Sequence, residues 1–189
     1  MPEPPDLFAG GRDLAERLAA FVAHARADSA AAARSREGFL RRTAPEDATF
    51  TGVLLDLAER GEPVLVAGAG GRRHRGVVRA VGADFVALRT PEGRHILLAH
   101  RGIASLRPEG RATEATGDRP LELPLGLAEA LAVVAEDRPR VLVVTVAGDE
   151  GLAGELGAVG RDVLTVRLDG TDRPAVYVPT ANLAEVSLA

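Results

Sequence analysis

Two stretches of this chain follow one plan. Residues 50–106 and 127–188 each read as a short amphipathic helix followed by five short strands. Gly76-Val-Val-Arg-Ala-Val-Gly-Ala-Asp-Phe-Val-Ala-Leu88 aligns without a gap with Gly154-Glu-Leu-Gly-Ala-Val-Gly-Arg-Asp-Val-Leu-Thr-Val166, and the Ala-Val-Gly-x-Asp core is shared. Val64-Leu-Val66 answers to Val141-Leu-Val143. His95-Ile-Leu-Leu-Ala-His-Arg-Gly-Ile-Ala-Ser-Leu106 answers to Ala175-Val-Tyr-Val-Pro-Thr-Ala-Asn-Leu-Ala-Glu-Val186. The offset drifts from 77 to 80 residues, and it drifts in the turns, where insertions cost little. A repeated unit of this kind names the folding module, though not its chemistry.

Helix punctuation agrees between the repeats. Thr49 is placed to cap a helix over 50–60 that Gly61 ends. Its apolar face is Phe50, Val53, Leu54 and Leu57, and Leu127, Ala130, Leu131 and Val134 hold the same four positions in the second repeat. Strand signals follow at 63–67, 74–81, 85–90, 94–99 and 103–106, then at 140–146, 152–159, 163–168, 175–179 and 183–188. Turn residues such as Gly68-Ala-Gly-Gly71 and Pro91-Glu-Gly93 separate them. Short strands at this even spacing suggest a small closed barrel, which limits exposed sheet edges. Before the first repeat, prolines and glycines break residues 1–11, and a helical stripe of Leu14, Leu18, Phe21, Val22 and Ala25 follows. Such a stripe packs on the rest of the protein or on a partner.

Composition narrows the chemistry. The chain of 189 residues is 46% hydrophobic and 26% charged, as globular proteins are, but only 3% aromatic. Its cores must come from Val, Leu, Ile and Ala, and platforms for stacking nucleobases are scarce. No cysteine is present, which excludes disulfides, thiolate zinc sites and cysteine catalysis. No apolar run is long enough for a membrane span, and the acidic, Pro-rich start is unlike a signal peptide, so the expected compartment is the cytoplasm. All 23 cationic residues are Arg, a coding bias of GC-rich bacterial genomes.

The net charge of -4 is uneven. Residues 49–110 hold 9 Arg against 6 acids, or +3, while residues 122–189 hold 5 against 11, or -6. That asymmetry favours contact between unlike repeats. The densest cationic cluster is Arg72-Arg73-His74-Arg75, in the loop between the first two strands of repeat one. Arginines there could grip phosphates as bidentate donors, against the plainer reading of a solvated loop. Gly68-Ala-Gly-Gly71 is not a dinucleotide fingerprint, since a strand rather than a helix follows it. The four histidines have no ligand spacing, so neither a metal nor a cofactor is expected. Asp84 and Asp162 recur in a Gly-x-Asp setting that suits a turn or a cap. No serine elbow and no paired base and nucleophile are present, so no catalytic residue is nominated.

A helix leading five short bent strands resembles the Sm and Sm-like (LSm) proteins. Residues 76–88 resemble that family's first motif, in which a Gly lets the second strand bend. His100-Arg101-Gly102-Ile103 resembles the second, an Arg-Gly pair before a β-branched residue. The resemblance covers both repeats and implies tandem five-stranded small barrels that join neighbours by pairing outer strands. It also implies RNA contact, but Gly82 and Val86, with Gly160 and Leu164 in repeat two, stand where Sm proteins read uridine. Repeat two carries Ala181-Asn182 in place of Arg-Gly. Sequence-specific uridine binding is therefore not expected.

The expected organisation is a disordered start and helical segment over 1–48, a first barrel over 49–107, a linker over 108–124 and a second barrel over 125–189. The expected role is a non-enzymatic binding or assembly module. It would contact the RNA or DNA backbone through Arg72, Arg73, His74, Arg75 and Arg101, or act as a protein-interaction scaffold or regulatory accessory protein that binds no nucleic acid and joins copies of itself or a protein partner through strand edges.

Overall fold

A computed structural model describes residues 49–110, 121–148 and 151–188. The N-terminal stripe and most of the linker lie outside the described residues. Helix α1, Phe50–Arg60, starts where the Thr49 hydroxyl accepts from the Gly52 amide at 3.0 Å and stops at Gly61 in the left-handed region at φ 61°. Its buried side, Leu54, Leu57 and Ala58, packs on the strand Arg73–Val81. Helix α2, Leu127–Ala135, packs in the same way on the strand Leu152–Val159, with Leu127, Ala130, Leu131, Val133 and Val134 buried.

Five strands follow each helix. In the first half they are β1 (Pro63–Gly68), β2 (Arg73–Val81), β3 (Phe85–Arg89), β4 (His95–Ala99) and β5 (Ile103–Pro108). In the second they are β7 (Arg140–Thr145), β8 (Leu152–Val159), β9 (Val163–Leu168), β10 (Ala175–Pro179) and β11 (Leu183–Leu188). The chain is thus mainly β with two short helices. Each half has one internal order, β5-β1-β2-β3-β4 and β11-β7-β8-β9-β10. Both have a register shift in the second strand, between Val78 and Ala80 and between Leu156 and Val159. A side chain at Gly76 would meet the Arg89 carbonyl at 2.6 Å and one at Gly154 would strike the Arg167 carbonyl, so bare glycine lets the second strand close on the third in both halves.

The expectation of two separately closed barrels needs correction at the level of strand pairing. The order β10-β9-β8-β7-β11-β4-β3-β2-β1-β5 runs as one open sheet, and among the described residues no pairing closes either half on itself. The physical reason is that β4 gives its outer edge to β11, with Val186 opposite Leu97 and Leu188 opposite His95. An edge so occupied has no donors or acceptors left for a closing strand. Strand β5 runs on to Pro108, and Leu121–Glu122 form β6, parallel to the end of β2.

Two cores result. One lies within the first half and contains Val64, Val66, Val78, Val86, Leu88, Ile96 and Leu98, with Ile103 and Leu106 at its margin. The other contains Val141, Val143, Leu156, Val166, Val178 and Val186 of the second half together with α2. It reaches across the joint to Ala80, Phe85, Ala87, Leu97 and Ala99. Alternate side chains of β3 and β4 thus point into different cores. Phe85, which sequence spacing puts in the first core, is fully buried in the second. Among the described residues no helix is long and apolar enough to cross a membrane.

Candidate functional site

Three of the five nominated cations gather at the seam where the halves meet. Glu185, on β11, is 2% exposed. Across the seam, Arg72 Nε donates to its Oε2 and Nη2 to its Oε1, both at 3.2 Å. His74 Nε2 stands 2.7 Å from Oε2, and the Ser187 hydroxyl donates to Oε1 at 2.9 Å. Burial pushes the Glu185 carboxyl up, but the hydrogen bonds from His74, Arg72 and Ser187 and the charge of His74 outweigh it and hold it below the ordinary carboxylate value. A buried carboxylate demands this degree of pairing, because removing its partners leaves an uncompensated charge.

Arg101 also turns toward the other half. Its Nη2 donates to the Thr180 carbonyl, and Nη1 lies 3.9 Å from Asp84 Oδ2. Arg75 pairs with Glu109 at 2.6 Å within the first half. Arg73 is exposed and sits opposite Ala67 in the β1–β2 ladder. Of the five nominated residues, then, Arg72, His74 and Arg101 converge on the joint, Arg75 serves its own half, and Arg73 faces outward.

The joint uses residues that sequence reasoning missed. Gly126 at the start of α2 has no side chain to cap the helix. Asp84, from the first half, supplies the acceptor, and Leu127 N donates to its Oδ1 at 2.7 Å. The Gly-x-Asp aspartate therefore caps a helix of the opposite half, not its own turn. The segment leading into α2 is held by two backbone bonds, Leu123 N to Val81 O at 2.9 Å and Ala83 N to Leu125 O at 3.0 Å. Both leucines are buried, and the alternation Leu121, Leu123, Leu125 was the available signal. The backbones also touch. A side chain on Gly102 would meet Cα and O of Ala184 at 2.7 Å, and one on Gly70 would meet the Gly148 carbonyl at 2.5 Å.

His100 closes the near end of the joint. Its ring meets Phe50 edge-on at 5.5 Å, and its amide donates to the Asp84 carbonyl at 2.8 Å. Burial lowers its imidazole below the usual value, with the Asp84 charge and a backbone bond at Phe85 pulling the other way. Among the described residues no group of His, Cys, Asp and Glu is placed to hold a metal ion. No family model matches the chain, and no curated protein matches it.

Proposed function

We propose that this chain is a non-enzymatic assembly module made of two Sm-like units, and that it takes a partner protein by strand addition at a free sheet edge. The observation that carries this reading is the β4–β11 pairing. The chain already joins unlike units by edge pairing, and it leaves β5 and β10 each with one neighbour among the described residues. Main-chain bonds along such an edge give affinity, and alternate side chains give selectivity. Arg107 stands exposed on β5, so this edge favours an extended acidic segment.

The phosphate-binding reading is supported less. Arg72, His74 and Arg101 already have acceptors within the chain. Residues committed to a buried carboxylate are poorly free to exchange counterions for phosphates, which is where backbone affinity arises.

Titration with labelled single-stranded RNA and DNA at low and near-physiological salt separates the two. The assembly reading expects weak binding that replacing Arg72, Arg73 and Arg75 together does not alter. It also expects short acidic peptides selected from a display library to protect β5 amides from hydrogen exchange. Tight, salt-steep nucleic-acid binding abolished by the triple change would establish the phosphate reading instead.

A further inference from the structure

One sheet face is covered in the first half and bare in the second. Ala80, Phe85, Ala87, Leu97 and Ala99 share a face and are all buried. What lies over them is the segment leading into α2, with Leu123, Leu125 and Leu127 in the same core. The matching positions in the second half are Ala158, Val163, Thr165, Tyr177 and Pro179. There Tyr177 pairs with Thr165, and Pro179 with Val163, as Leu97 pairs with Ala87 and Ala99 with Phe85. None of the five is buried, and Tyr177 is 69% exposed. It is the most exposed large apolar side chain described.

A second chain repeating the internal joint is a poor fit. Asn182 stands where Gly102 makes its close approach to Ala184, so its side chain would strike the backbone of the incoming β5. Ser105 of that strand replaces the buried Glu185, and in sequence Glu46 and Ala48 align with the Leu123 and Leu125 that cover the first half. Pro108 and Pro179 each remove an amide at an outer edge strand.

We infer that the bare face around Tyr177 is covered by residues 12–25 of the same chain, through the stripe Leu14, Leu18, Phe21 and Val22. These residues lie outside the described part. The chain they belong to arrives at Phe50, whose ring rests on His100, and the neighbouring Arg101 holds the carbonyl of Thr180. Thr180 directly follows Pro179 at the end of the bare face. The connection over 26–49, at up to roughly 3.3 Å per residue, far exceeds the length of a five-residue strand. Covering in cis is independent of which partner takes the β5 edge.

Tyr177 is the only tyrosine, and the chain has no tryptophan, so its fluorescence reports this face alone. In the full chain, acrylamide quenching of Tyr177 is expected to be several-fold weaker than for free tyrosine. In Leu18→Asp/Phe21→Asp it should approach the free value, with the circular dichroism of the sheet and the monomer mass unchanged. Free quenching in the native chain would overturn the inference. So would protection that appears only with concentration and a doubled sedimentation mass, which would mean that a second chain is the cover. The absence of native cysteine allows a second test. Phe21→Cys/Tyr177→Cys should oxidise to an intrachain disulfide, whereas interchain dimers or two persistently free thiols would refute cover by the same chain.

Discussion

The two halves share a strand order but treat the same face in opposite ways. In the first half, β3 and β4 are buried on both sides, their odd and even side chains feeding different cores. In the second, β9 and β10 bury one side only. The difference comes from a few substitutions at matched positions. Gly102 answers to Asn182, and Ser105 answers to Glu185. Asp84 caps a helix across the seam, while its counterpart Asp162 is exposed. Two halves of one strand order thus meet in one directional joint, and the residues that build it are not the ones found at the matched outer positions.

The largest effect expected from breaking this asymmetry is in the shared core. Phe85→Ala should cost about 3–5 kcal/mol, as full burial of a Phe implies. Val163→Ala, at the matched half-buried site, should cost about 1 kcal/mol. Denaturant titration of both variants measures the gap, and equal losses would show that the two faces are covered alike.

Next in size is the charge cluster. Arg72→Ala/His74→Ala strips the main partners from the buried Glu185 carboxylate and should cost about 3 kcal/mol or more. Adding Glu185→Leu should recover much of it, since the unpaired charge is the cost. If the double variant is as stable as the native chain, the cluster does not lock the joint.

Smaller again is the exchange of matched residues. Gly102→Asn forces a side chain against Ala184 and should cost about 1–3 kcal/mol. Asn182→Gly, at the open end, should change stability by no more than about 1 kcal/mol. Comparable losses at both sites would mean that Asn182 is packed in the same way as Gly102.

The smallest effect is with pH. His100 titrates below its ordinary 6.5 because burial disfavours its proton, so its contribution is full above that value and is lost as pH falls through the folded one. Glu185 is also lowered, so its contribution is lost only as pH falls through a value below 4.5. Stability should therefore drop in two acid steps. His100→Gln should remove the earlier step, and its persistence would assign that step to another group.

Much of this architecture was legible in the chain. Thr49 and Gly61 bound α1 as capping rules require, and β8 to β11 start and end where alternation and turn residues place them. What escaped was long-range. Contact between unlike repeats through outer strands is expected from the charge asymmetry and the resemblance, but nothing local names β4 and β11 as the pair, because edge pairing is decided by backbone groups common to every residue. Phe85 has the same alternation whichever core it enters. Arg72 and His74 read as a phosphate grip because their acceptor, Glu185, stands 113 and 111 residues away. A lone acid in a strand otherwise made of Leu, Ala, Val and Ser, where the matching residue is Ser105, was the one sequence signal of a buried partner.

The central claim is that the halves form a single joined body through β4 and β11. Backbone nitrogen-15 relaxation of the full chain tests it most directly. One rotational correlation time should fit amides of both halves, at the value for the whole chain and insensitive to salt. Two shorter times, one for each half, would show two beads on a linker and contradict the account.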